Sequence, residues 1–587
     1  ISSYTRLRNK LIRSSFIDTL LHLGARTFPE IGGEVVQSAA FTLLNSQLPQ
    51  KIGISIKLTE FNRSSLKENK FLDAINNESS KWHFRSSQKD YLRISSVPIA
   101  YWLSNKAIEI FETSNSIGDL GEVRGGMTSA NNARFLRTWH EVDYDTIGFG
   151  LDKNTASRSI FKWFPYNKGG TGRKWYGNMD YVINWHKDGE DIKNYKLEQS
   201  KLNPKYNTAI AALSCIFKPH LSWSFVSTTS FSLRRYPKGF LFDVAGSAIF
   251  LEDELKSRYV LGLMNSVVAK AFLNVLNPTF NFQPKNIASV PFVENEAELV
   301  VELVDCQEHI SKMEWDSREN SWNFLRNELI HVNGQDLEES YHLFCQYWKN
   351  KFFQLHKNQE EINQQFIAKY GLQDELLPDV PFEDITILKD ETEIVNGELL
   401  FKTDEVFAQL ISYAVGCMFG RYSLDKQGLI LASQGETIEE YCIKVGKSQT
   451  EIAFQPDKEN IIPVLEDEWF EDDIVGRFNE FLKVTFGKEN FEKNLAFVEE
   501  CLGKDVRKYF SKDFYPDHIK RYKKRPIYWM FGTPSGSFSV LIYMHRYTPD
   551  LLNDILNDYL KEYQEKLRTR IEYLDHLIET GSSSEQT

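Results

Sequence analysis

The chain has 587 residues, too many for one ordinary domain, so three or four are expected. With 42% apolar and 26% charged residues it can bury real cores, which excludes a disordered chain. A uniform net charge of −12 would exclude a polyanion partner, but the charge divides into +5 over 1–117, +6 over 118–294 and −23 over 295–587, a basic front joined to an acidic rear.

The chain opens Ile1-Ser2-Ser3-Tyr4-Thr5-Arg6, with neither an initiator Met nor a signal-peptide core, and reads as a piece that begins inside a larger protein. Arg6 to Arg13 reads as the end of a basic amphipathic helix, leading into a strand over 16–23. A Gly-rich turn at 31–34 and a second strand over 35–44 follow. One helix and two strands make no fold alone, so this is the last edge of an α/β sheet. Residues 45–95, polar and rich in Ser, Asn and Lys, read as an irregular connector.

Pro98 to Phe111 has a helical pattern. Short aromatic strands then alternate with Gly, Asn and Pro turns to Phe292, with a helix over Tyr259 to Leu276 closed by Asn277-Pro278. This is a mixed α+β domain over 118–294. Residues 295–372 read as a helical spacer, with helices packed side by side. The acidic stretch 373–406 reads as a hinge or exposed segment. The rest, to 587, is a mainly helical domain with a hairpin over 527–543. Its terminal helix carries a stripe from Leu552 through Leu556, Leu560, Tyr563, Leu567, Ile571 and Leu574 to Ile578, which predicts packing against a partner helix.

The block Tyr166 to Asn178 sets Lys168, Arg173, Lys174 and Trp175 around Gly169 and Gly170. Glycines allow close backbone approach, cations neutralise phosphates, and an aromatic stacks on a base. Gly125 to Arg137 offers Thr128, Asn131, Asn132 and Arg134 for phosphates or base edges, its alternative being a capped helix start. Arg234 and Arg235 form a third cluster, and Asn281 with Gln283 lies on a polar-aromatic turn. Nine cations between 504 and 525 read as either a backbone clamp or a solvated helix face.

Six scattered cysteines without a Cys-x-x-Cys pair argue against disulfides or thiolate zinc and fit a reducing cytoplasm. Apolar runs fall short of the ~20 residues that span a bilayer, so no membrane partner is expected. No dinucleotide-binding glycine motif, Walker loop, His-Glu-x-x-His or Asn-Pro-Pro-Tyr occurs in the sequence. No catalytic, cofactor-binding or metal-binding residue is assigned.

Several segments resemble one family, in its order along the chain. They include Leu23 to Gln37, Tyr166 to Gly170, Arg173 to Asn178, Leu276 to Gln283, Glu314 to Ser317, Ile411 to Tyr422 and Lys524 to Trp529. The chain resembles the C-terminal half of the adenine-specific DNA methyltransferases of BREX-type phage-exclusion systems (the PglX family), and more loosely the type IIG restriction-modification enzymes. The resemblance implies an α/β plus α chain. Residues 1–117 would hold the closing strands of a Rossmann-like methyltransferase sheet and a connector, 118–294 the target-recognition domain, and the remainder the helical C-terminal region.

It also implies S-adenosyl-L-methionine, bound by an upstream domain absent from this sequence, and double-stranded DNA as partner. Phosphate contacts would come from Lys168, Arg173, Lys174, Arg234 and Arg235, with base readout from among Thr128, Asn131, Asn132, Arg134, Asn281 and Gln283. Other phage-defence components are further candidate partners, and an acidic DNA-mimicking phage protein is a candidate inhibitor. Two alternatives stand beside this reading: a specificity subunit without chemistry of its own, and part of a single-chain restriction-modification enzyme.

Overall fold

A computed structural model describes residues 5–28, 37–48, 50–94, 97–227, 230–277, 279–294, 298–332 and 334–581. The expected Gly-rich turn at 31–34, and Val35 and Val36 of the expected second strand, lie outside these residues. Among the described residues no single helix is long and apolar enough to cross a membrane.

The N-terminal sheet has four strands in the order Ser38–Leu44, Phe16–Gly24, Ile52–Lys57, His83–Ser87. The central pair is parallel and both outer pairs are antiparallel. The connector expected over 45–95 is therefore corrected: it supplies two of these strands and the helix Ser64–Asn76. Ile56 and Leu58 bury against Ala74 and Trp82, which gives this polar segment a small core of its own.

Two interleaved sheets build residues 118–294. One runs Leu233–Tyr236, His220–Trp223, Ala248–Phe250, Glu122–Arg124, antiparallel throughout. The other runs Leu241–Phe242, Trp163–Asn167, Tyr181–Asn184, Leu136–Thr138. The helix expected over 259–276 is two, Glu254–Asn265 and Val267–Leu276, bent by 72°. Ser266 makes the break, because its hydroxyl caps the second helix at the Ala269 N–H.

A 34-residue helix, Leu337–Tyr370, ties the molecule together. Its first half places Phe344, Trp348, Phe352 and Leu355 in the core of the C-terminal region. Its second half places Ile362, Phe366, Ile367 and Tyr370 in the core beneath the first middle sheet. The acidic stretch 373–406 is exposed or half-buried over 373–384, as read, but turns inward beyond it. Ile385, Ile387 and Leu388 are buried in the C-terminal core, and a hairpin of Thr392–Val395 and Glu398–Phe401 follows. The acidic side chains flank apolar residues that point inward.

The hairpin expected over 527–543 is present as Tyr528–Gly532 paired with Ser539–Tyr543, with Ile462–Pro463 as a third strand. The terminal stripe is corrected in phase. Leu551, Ile555, Tyr559 and Tyr563 cover Phe470 and Phe538, whereas Leu552, Leu556, Ile571, Leu574 and Ile578 are exposed. A π-helical stretch, Ile555–Leu560, widens the turn so that residues four apart stay on one face.

Candidate nucleic-acid interface

Tertiary pairing brings three of the four polar clusters to adjoining loops, with the fourth alongside. Met127 bridges Asp243, Trp175 bridges Arg234 and Val226 bridges Asn281. Ser224 Oγ donates to the Gly170 carbonyl at 2.8 Å, and the Phe225 N–H donates to the Ala245 carbonyl at 2.9 Å. Loops around 125–128, 168–172, 224–227, 243–247 and 280–285 thus share one face.

The exposed members of that face are Thr128, Gly170, Thr171, Gly172, Asn281, Gln283 and Lys285, with the apolar Val226, Val244 and Phe280 exposed among them. Lys168 is half-buried, its Nζ 2.6 Å from Asp243. Gly169 has φ +79°, and a Cβ there would lie 2.5 Å from the Ala245 carbonyl oxygen. Only glycine lets this loop lie so close to its neighbour. Beneath it, Asn167 donates through Nδ2 to Ser222 Oγ at 2.7 Å and to the Gly246 carbonyl at 3.2 Å, while its own Oδ1 accepts from the Gly169 N–H. Burial pushes the nearby His220 imidazole down to about 4, so this platform stays uncharged at neutral pH.

Asn131 caps the short helix Asn132–Phe135, accepting the Arg134 N–H at 3.1 Å. Its side-chain oxygen is thereby occupied, as in the capped-helix alternative. Asn132 accepts from Ser129 Oγ and is exposed. Arg134 is exposed, with its guanidinium 5.1 and 5.4 Å from the ring centroids of Phe135 and Tyr195.

Five residues expected to meet DNA are buried instead: Gly169, Arg173, Lys174, Trp175 and Arg234. Arg173 donates through Nε to the Tyr176 carbonyl at 2.9 Å and ion-pairs through Nη2 with Glu314. Glu314 is fully buried, also pairs with Arg318, and accepts the Leu388 N–H at 2.8 Å. Burial pushes its carboxyl up, but the Arg173 and Arg318 guanidiniums outweigh that and hold it below the usual range. Arg173 therefore fastens the 166–178 block to the helix Glu298–Asp316, and its charge is already neutralised.

Burial pushes the Lys174 ammonium down to about 8 against the opposing pull of Asp384. Trp175, at φ +70°, packs wholly within the core. Arg235 pairs with Glu254 and, at 3.5 Å, with Glu308.

The cluster at 504–525 is not a free clamp. Lys504, Arg507, Lys512 and Lys520 pair with Asp513, Asp473, Glu466 and Glu405 of the same region. Lys523 and Arg525 reach across to Asp180 and Glu141. Trp139 Nε1 donates to the Asn320 carbonyl at 2.8 Å, and the Arg421 guanidinium lies 5.4 Å from the Trp139 ring centroid. These contacts seat the middle region on the C-terminal one. Glu314 and Asp243, the acids that decide which cations are free, carry no local signature. They lie 141 and 75 residues from their partners.

Among the described residues no group of three or more His, Cys, Asp or Glu side chains is arranged to hold a metal ion.

No family model matches the chain. It is similar from end to end, at 35% identity, to an adenine-specific methyltransferase PglX of Lacticaseibacillus casei (strain Zhang), covering 48% of that protein. It is similar at 33% identity, again over its whole length, to an adenine-specific methyltransferase BrxX of Escherichia coli O9:H4 (strain HS), also covering 48%. The chain spans about half the length of the curated relatives it matches. Among solved structures, the type IIL restriction-modification enzyme MmeI in complex with DNA aligns at 11% identity. It covers 63% of this chain and 46% of its own, with a TM-score of 0.33, too slight a superposition to fix a common fold.

Proposed function

We propose that this chain, similar throughout to adenine-specific methyltransferases yet half their length, is the DNA-recognition and C-terminal part of such an enzyme. In this reading the enzyme transfers a methyl group from S-adenosyl-L-methionine to N6 of an adenine and serves bacterial phage defence. Residues 118–294 are its target-recognition domain, and the parallel pair in the N-terminal sheet belongs to the edge of a Rossmann-like methyltransferase sheet. The cofactor and the catalytic motif belong to the part of the relatives that this chain does not span. Enzymes that act on a base inside a duplex must extrude it, and this chain supplies the grip and the readout.

The observation that carries the reading is the gathering of three separated polar clusters on one loop face. Asn281 and Gln283 are exposed there, and the exposed Lys285 flanks them. Exposed amides suit base edges, since Asn or Gln pairs bidentately with adenine. Exposed cations and glycine backbone suit phosphates. Arg134, exposed on the adjoining helix, extends the positive rim.

The two roles separate in a binding experiment. Arg134→Ala with Lys285→Ala is expected to weaken duplex binding for every sequence and to lower the salt slope by up to about two. Asn281→Ala with Gln283→Ala is expected to leave that slope unchanged while flattening discrimination among duplexes differing at single base pairs, by about 1–3 kcal/mol at the position read. Binding indifferent to both pairs refutes this face as the interface.

A further inference from the structure

Arg234 has no exposed surface, yet its charge is met only by neutral oxygens. Nε donates to Tyr236 Oη at 3.1 Å and Nη2 to Ser224 Oγ at 3.3 Å. Nη1 has no hydrogen-bond partner among the described residues, and no carboxylate there lies within ion-pair distance. The Tyr236 ring, 5.7 Å from the guanidinium carbon, adds the one cation–π contact to Arg234 among the described residues. Burying a guanidinium in this way is costly, and an apolar side chain of similar volume would pack the site as well.

The backbone beside it adds a second orphan. Trp175, whose N–H and C=O bond the backbone flanking Arg234, has its indole Nε1 buried without a partner. Arg234 and Trp175 thus lie on adjoining backbone, each with one buried nitrogen that lacks an acceptor among the described residues. What the guanidinium lacks is an oxyanion.

The cover over this site is the glycine loop. Ser224, whose hydroxyl oxygen receives the Arg234 Nη2, spends its own hydrogen on the Gly170 carbonyl. The loop is further tied by Asn178 Nδ2 to the Thr171 carbonyl at 2.9 Å. Gly170, Thr171 and Gly172 face solvent, and Gly170 sits at φ +132° with Asn178 closing under it. A few side-chain hydrogen bonds, not packed apolar surface, hold the roof down.

We propose that Gly169 to Gly172 roof a latent oxyanion site anchored on Arg234, and that a phosphate enters it by displacing the Ser224–Gly170 tie. Resting on the function proposed above, that phosphate is a phosphodiester of the recognised duplex, and its arrival opens the loop. Contact with Arg234 is thus conditional, made only when the glycine loop has yielded, unlike the standing contact of the exposed Lys285.

The test is Arg234→Met in the full chain, read three ways. Expected are a melting temperature equal to or above the parent's, loss of the parent's upward melting shift with inorganic phosphate at constant ionic strength, and a duplex-binding salt slope smaller by about one. Affinity should fall about tenfold, the worth of one charge-assisted hydrogen bond. A lower melting temperature with the salt slope and phosphate response unchanged overturns the proposal and makes the guanidinium structural. If the parent binds no duplex but its phosphate response depends on Arg234, the oxyanion site stands with free phosphate as ligand, and the DNA reading falls. If duplex binding and phosphate response both survive the substitution, the site falls and the DNA reading stands. Ser224→Ala, which cuts only the tie to Gly170 and one hydrogen bond to Arg234, is expected to strengthen the phosphate response; no change there also overturns the proposal.

Discussion

Lys174 shows how little a residue's identity says about its duty. In the sequence it stands beside Arg173 in a glycine-rich block, a natural phosphate ligand; in the fold it is 8% exposed and burial pushes its ammonium down to about 8. Its folded-state value of about 8 lies below the ordinary 10.5, so the native state gives up this proton before the unfolded chain does. The penalty for burying the charge is complete below about pH 8 and fades as pH rises toward 10.5, where both states are neutral. Lys174→Met is accordingly expected to raise stability at pH 7, by at most ~3 kcal/mol at 1.36 kcal/mol per pKa unit, with the gain shrinking toward pH 10. Thermal melts of both proteins across that range check the sign. Residue type singles out the block 166–178, because glycines, cations and aromatics crowd into it. It could not tell free cations from spent ones, because Glu314 and Asp243 reach them only through tertiary folding.

Elements with their own strong pattern were legible, and those that borrow stability were not. The hairpin Tyr528–Gly532 with Ser539–Tyr543 has β-branched and aromatic runs on either side of a Gly-Thr-Pro-Ser-Gly turn, and it forms where read. Ile52–Lys57 alternates small and apolar residues inside a polar stretch and becomes a strand because Phe16–Gly24 offers a parallel neighbour. The helix read over 259–276 is continuous in apolar pattern but is cut by one capping serine. Ser266→Ala removes that cap and is expected to cost about 1 kcal/mol, visible as a lower denaturant midpoint with an unchanged slope. An unchanged midpoint would mean that the 72° bend is set by packing against the helix Leu337–Tyr370 and not by the cap.

Across the whole molecule, charge is organised by pairing more than by region. The acidic rear pairs with four of the nine cations of its own basic cluster, and it lends Lys523 and Arg525 to Asp180 and Glu141 of the middle region. The 34-residue helix shares its two halves between two cores, so the loop face at Asn281 and Gln283 is held by a scaffold extending well beyond residues 118–294. That arrangement suits recognition, in which side chains must be fixed before the ligand arrives. The net −12 of the chain conceals it.

On the function proposed above, this chain by itself grips duplex DNA through the loop face. The most direct measurement is the affinity of the purified chain for a labelled duplex at salt concentrations between about 50 and 200 mM. Binding at low salt is expected, with log affinity falling linearly with log salt and a slope of several phosphates' worth. Absence of binding at the lowest salt, or an affinity that does not respond to salt, would contradict it.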